Sequence, residues 1–230
     1  MDKSLVERTM EGIRELVRAK GLMAGDVLPS ETQMALQLGV SRPVMREAMR
    51  GLATLRIIAI GNGRKARVAM PDASSLSVVL DHASYTGGVS IQQILDARRT
   101  LEVRTAGLAA MRRSENDQRQ LAQIVQEMFD ALEADQTAIR ELDIRFHETI
   151  ARASGNPLYS ILVESFRVIT RQTWQIGWRS RATYENRLEN IRCHQRIMEA
   201  IAEQNAERAE ALMDEHFAGA VAVLLRAGIV

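Results

Sequence analysis

Four residues in the C-terminal half have the types and spacing to hold a metal ion. Asp143 and His147 stand four apart in DIRFH, His194 lies in CHQRIMEAI, and His216 closes MDEHF. On a helix, an i, i+4 pair lies on one face about 6 Å apart along the axis. Ile139, Leu142, Phe146 and Ile150 mark that face as inward. His194 falls between Ile191 and Ile197, and His216 follows Leu212 and Met213, so both also point inward. A single inward histidine is usually a hydrogen-bonded core residue. A buried Asp among three histidines needs compensation, and a divalent ion supplies it. Zinc suits the donors best, with manganese and nickel as alternatives. His82 lies in a short segment and reads as ordinary.

Arg98 shares an apolar stripe with Ile94, Leu95 and Leu101. One reading is a helical ion pair with Glu102. The other is a guanidinium aimed at an anionic ligand by bidentate contact with a carboxylate. A metal held by three neutral histidines and one Asp keeps net positive charge, and Arg98 adds to it, so this interior favours a small carboxylate effector such as a hydroxy or sugar acid. A hydrolase or iron oxygenase is the enzymatic alternative. No further inward acid suited to general-base work is evident, which argues against an enzyme. Trp174 and Trp178, one turn apart, read as core or interface, with a cavity-lining role left open. Asn156 belongs to the turn Ser154-Gly155-Asn156-Pro157.

A second chemistry lies near the N-terminus. LPSETQMALQLGVSRPVMREAMRGL reads as two short helices joined at Gly39. Ser30 with Gln33 forms a capping-box pattern, Ser41 caps the second helix, and Pro43 sits in its first turn. Arg42, Arg46 and Arg50 recur every fourth residue and present three guanidiniums on one face. A helix-turn-helix with that face fits the DNA major groove, and an ordinary hairpin with a solvated Arg face is the alternative. Next come Arg56-Ile57-Ile58-Ala59-Ile60, the turn Gly61-Asn62-Gly63 and a second short strand near Ala66 to Ala69. Asn-Gly between two such runs signals a hairpin. With Arg64, Lys65 and Arg67 at or near its tip, it reads as a wing that touches phosphate or the minor groove. On the DNA-binding reading, the candidate contacts are Ser41, Arg42, Arg46, Arg50, Gly63, Arg64 and Lys65.

The elements that position these groups are mostly helical. A first helix spans about Ser4 to Lys20 and stops at Gly21. Met70-Pro71-Asp72 reads as a linker, which divides the chain into domains 1–70 and 71–230. Beyond it come a short segment near 74–84 and amphipathic stretches at roughly 90–113, 116–134, 136–153, 157–178, 183–204 and 206–227. The expected fold is mainly α: a winged helix-turn-helix followed by an antiparallel helical bundle. Charge supports two domains. Residues 1–69 carry 12 Lys+Arg against 7 Asp+Glu, and the rest carries 18 against 22. A basic front half is the expected footprint of a phosphate-binding module. All nine aromatic residues lie at Tyr85 or later. Cys193, the only cysteine, excludes an internal disulfide framework and fits a reducing, cytoplasmic setting. No apolar leader or membrane-length segment is expected.

With those motifs in view, residues 5–69 resemble the winged helix of the GntR superfamily of bacterial transcription regulators, through GIRELV, GDVLPSE, LGVSRPVMREAMRGL and GNGRKARV. Two positions depart from its pattern. Thr32 stands where Arg is common, and Arg56 where Gly is usual. Residues 90–220 resemble the FCD effector domain of the FadR subfamily, through ILDARRTLEVRTAGLAA, DIRFH, ASGNPL, CHQRIMEAI and MDEHF. The resemblance implies that Arg42 and Arg46 read operator DNA beside the Gly63-Arg64 wing tip, and that the protein acts as a homodimer. It also implies that Asp143, His147, His194 and His216 hold a metal and that Arg98 meets the effector. The runner-up is a metal sensor in which the ion itself is the signal.

Overall fold

The computed structural model describes residues 3–61, 65–133, 136–181, 183–226 and 228. Asn62, Gly63 and Arg64 lie outside the described residues, and so does the expected turn of the wing. The chain forms two compact units, residues 1–75 and 76–230.

The first unit holds α1 (Leu5–Ala19), α2 (Glu31–Leu38), α3 (Arg42–Thr54) and the antiparallel pair β1 (Ile58–Ala59) and β2 (Arg67–Val68). Local chemistry sets the helix boundaries. Ser4 with Glu7 and Ser30 with Gln33 form capping boxes, each satisfying two otherwise orphan N–H groups. Gly39 ends α2 at φ 65°, a left-handed conformation that suits a residue without Cβ. Ser41 Oγ accepts from Val44 N at 3.5 Å and opens α3. Ile13, Leu16, Met34, Met45, Ala48, Met49, Leu52 and Ile58 close one core. The expected 56–60 strand shrinks to two residues, because the chain is still turning at Arg56. Its φ is 57°, and its N–H returns to Ala53 O at 3.0 Å. Arg67, expected near the wing's binding tip, instead sends Nη1 to Gly25 O at 2.7 Å and ties the hairpin base to the loop before α2.

The second unit is helical among the described residues. α4 (Ser74–Tyr85) begins at the boundary, followed by α5 (Ile91–Arg112), α6 (Glu115–Ala131), α7 (Gln136–Ala153), α8 (Pro157–Ser165), α9 (Arg167–Ser180), α10 (Tyr184–Ala202) and α11 (Ala206–Arg226). The long helix α5 packs against α7, α10 and α11, and α6 covers α7 and α10. Leu121, Ile139, Phe146, Ile150, Ile191, Ile197, Met213 and Phe217 are among its buried core residues. The stretch expected as one helix over 157–178 is two. Phe166 ends α8 and begins α9 at φ −83°, ψ −3°, and its N–H bonds back only three residues, to Val163 O. No Gly or Pro marks the bend, so its cause is tertiary: Phe166 packs into a small core with Ile94 and Ile169.

Candidate functional site

In the bundle, α7 supplies Asp143 and His147, α10 supplies His194 and α11 supplies His216. Ligand-capable atoms of the three histidines all lie within 4.8 Å of one another. Asp143 sits beside this triad, its Oδ1 3.0 Å from His194 Nε2. His194 Nδ1 donates to Asn190 O at 2.8 Å, since a carbonyl can only accept, and the ring is thereby aimed at Asp143. Burial works against a charged Asp143, but the His194 bond and the surrounding imidazoles outweigh it and hold the carboxyl far below the usual range. His216 is pushed well below its ordinary value, first by burial and then by His194 and His147. A neutral imidazole is the form that ligates a metal.

The next layer contains a residue whose burial the sequence did not reveal. Glu102 on α5 is 1 % exposed. Its Oε1 accepts from Arg98 Nε at 2.7 Å, and its Oε2 lies 2.5 Å from His147 Nδ1. That second approach is a close charge contact rather than an aligned hydrogen bond. Burial alone would raise the Glu102 pKa, yet Arg98 and then His147 keep the carboxyl ionised and its pKa lowered. An inward acid therefore stands behind the triad, engaged by Arg98 and His147 on its two oxygens. Its signal was the i, i+4 step from Arg98 on a buried stripe, which charge pairing alone also explains.

Arg98 lines a cavity of about 70 Å³ together with Asp143, His147, Thr170, Thr173, Trp174, Arg181, Asn190, His216 and Phe217. One water needs about 10–15 Å³ of such space, so the cavity holds a few waters or one small molecule. Arg98 Nη1 donates to Thr170 Oγ1 at 2.9 Å, and its guanidinium carbon lies 5.3 Å from the Phe217 ring centre. Both proposed roles of Arg98 thus share one geometry: it pairs with Glu102 and also faces the cavity. Trp174 joins the wall. Trp178 stacks on it at 4.9 Å between ring centres and belongs to the core. Asn156 caps α8 through Leu158 N, as its turn suggested. Thr170, Trp174, Arg181 and Asn190 come together only through the packing of α9 and α10, so no local motif announced them.

The donor set suits a divalent ion. Three imidazole nitrogens and a carboxylate converge, and Glu102 backs one of the rings in the manner of an outer carboxylate at a histidine-ligated metal.

In the first unit, Arg42, Arg46 and Arg50 are exposed on α3. Arg46 Nε lies 3.4 Å from Glu31 Oε2, an exposed pair that costs little to separate. Lys65 and Glu31 line one shallow groove with Ser30, Gln33 and Ile60, so the described base of the wing and the start of α2 share a face. Gly63 and Arg64 of the expected contact set lie outside the described residues.

Comparison with known proteins follows the same division. Residues 5–68 match the family described as bacterial regulatory proteins, gntR family, and residues 93–219 match the FCD domain. The chain is 30% identical to the HTH-type transcriptional regulator LutR of Bacillus subtilis (strain 168), over 91% of this chain and 96% of that protein. It is 26% identical to the HTH-type transcriptional repressor NanR of Citrobacter rodentium (strain ICC168), over 93% and 83%. Among solved structures, a GntR protein of Streptococcus agalactiae aligns with a TM-score of 0.65 at 26% identity, covering 94% of this chain and 98% of that one.

Proposed function

The chain belongs to the gntR family of bacterial regulatory proteins and carries an FCD domain, and we propose that it is a transcription regulator whose DNA affinity is set by a small carboxylate in the bundle cavity. The regulatory class is that of its relatives, which are regulators rather than enzymes. Three finer parts are our own reading: residues 1–70 bind operator DNA as a homodimer, residues 71–230 hold a metal and an effector, and the effector is a hydroxy or sugar acid.

The observation that carries this reading is the convergence of His147, His194 and His216 within 4.8 Å beside Asp143, on the wall of a cavity that also contains two guanidiniums. His147, His194 and His216 would hold the ion, with Asp143 as the anionic donor; zinc is the first candidate, manganese and nickel the alternatives. Such an ion supplies positive charge to the oxygen donors of a ligand. The protein's own groups do the rest. Asn190 and Glu102 fix the rings of His194 and His147. Thr170 orients Arg98, which has Nε and one terminal nitrogen engaged and the remainder of its fork for a carboxylate. A ligand shifts DNA binding only if it favours one arrangement of the protein over another. Coupling of about 1–3 kcal/mol corresponds to a roughly 5- to 150-fold change in operator affinity.

Operator titration with a panel of organic acids, with and without zinc, tests the proposal. An acid that shifts operator affinity supports it. If zinc alone gives the full shift and no acid adds to it, the ion is the signal and the carboxylate reading fails.

A further inference from the structure

Two guanidiniums face the bundle cavity, and their charges are met differently. Arg98 is already paired, since Glu102 accepts from its Nε at 2.7 Å inside the core. Arg181, the residue that ends α9, is half-buried and has no carboxylate within ion-pair distance among the described residues. Its side-chain hydrogen bond is from Nη1 to Gly177 O at 3.0 Å, a helix-end carbonyl that leaves its formal charge unmatched. A partly desolvated cation without a counter-ion is costly and conditions a site for an anion. Burial lowers the Arg181 pKa, while the field of Asp143 pulls the other way.

Position adds a second argument. Arg181, Asn190 and His216 border both the inner cavity and an adjoining surface groove that reaches Glu189, Arg196 and Arg226. A molecule entering from the groove meets Arg181 at the boundary, beside the histidine triad.

We propose that Arg181, at the boundary between groove and cavity, is the counter-charge that selects and holds the effector's carboxylate, while Arg98, its charge already met by Glu102 and its position set by Thr170, adds only a hydrogen-bond donor from the free part of its fork. This rests on the carboxylate reading given above and names the residue that enforces it. It also fixes the ligand class: the anionic head is essential, and the matching amide is a poor ligand.

The test is isothermal titration of the full-length zinc-loaded protein with glycolate, lactate, malate and glucuronate, and with glycolamide and lactamide as neutral counterparts. The variants are Arg181→Gln and Arg181→Lys, and each acid that binds is carried into operator titration. Arg181→Gln should weaken the acids by about 10- to 100-fold and leave the weak amide binding unchanged, with Arg181→Lys in between. A purely structural loss would weaken acids and amides alike, which overturns the assignment, as does acid binding by Arg181→Gln equal to the parent's. If acids bind and depend on Arg181 but leave operator affinity unmoved, the anion site stands and the effector reading falls. If no acid binds the parent, both fall.

Discussion

Glu102 bridges Arg98 and His147: Oε1 is 2.7 Å from the Arg98 Nε, and Oε2 is 2.5 Å from the His147 Nδ1, with the carboxylate almost wholly buried. This one side chain couples the cavity wall to the histidine triad. Removing it leaves Arg98 as an uncompensated buried charge. Glu102→Ala should therefore cost about 3–5 kcal/mol of stability, the range for breaking one side of a buried pair. Glu102→Gln should fold better but lose about 10- to 100-fold in metal affinity, as outer-layer substitutions do. Chemical denaturation together with zinc competition separates the two effects. If Glu102→Gln binds zinc like the parent, the bridge has no role in the metal site.

A related expectation concerns the triad itself. Stripping the protein with a chelator should lower its melting temperature, and stoichiometric zinc should restore it, because the ion binds the folded state only. His194→Ala and His147→Ala should each reduce bound metal and the zinc-induced shift. Elemental analysis of gently purified protein with one ion per chain would agree. A melting curve insensitive to zinc, manganese and nickel alike would leave the cluster as a polar core.

How far the sequence anticipated this site follows from what local patterns encode. Asp143 and His147 were placed because helical periodicity assigns a face, and that face is set by nearby residues such as Leu142 and Phe146. The same argument found His194 and His216 one at a time; that they meet within 4.8 Å depends on how α7, α10 and α11 pack. The break at Phe166 was invisible, since no Gly or Pro causes it, and with it went the course of α9 that brings Thr170, Trp174 and Arg181 to the cavity. The apolar stripe placed Arg98 inward, and pairing with Glu102 was one of its two readings; that Glu102 is itself buried and also reaches His147 depends on the packing of α5 against α7. In the first unit nearly every boundary was legible because Ser4, Ser30, Gly39 and Ser41 act through the backbone of their own segments.

For the DNA-binding face, Arg42→Ala and Arg46→Ala should each weaken operator binding by about 1–3 kcal/mol if they reach bases. Arg46 carries a distinctive signature, because Glu31 must release it or move with it. Glu31→Gln should leave operator affinity equal or tighter, most visibly at low salt, where exposed charges act furthest. Lys65→Ala should weaken all sequences alike and reduce the salt slope by about one. Band-shift titrations at several salt concentrations check all four. Unchanged affinity in both arginine variants would remove α3 from the DNA.

The last prediction concerns the start of the wing. Arg56 holds φ at 57°, where an L-residue brings its Cβ close to its own carbonyl. The chain accepts this because Leu52 must be buried at the end of α3 and Ile58 in β1, and only a sharp reversal between them places both in the core. The left-handed conformation costs roughly 1–2 kcal/mol for an ordinary residue. Glycine removes that cost but gives back about 0.5–1 kcal/mol through its freer unfolded chain. Arg56→Gly should therefore stabilise the first unit by about 0.5–1 kcal/mol, whereas Arg56→Ala, which keeps the Cβ, should gain nothing. The first unit has no aromatic reporter before Tyr85, so amide hydrogen exchange in α3 and β1 is the suitable measurement. Protection in Arg56→Gly should rise severalfold above both the parent and Arg56→Ala. If the glycine and alanine variants exchange alike, the backbone at this position stores no strain, and the arginine is kept there without conformational cost.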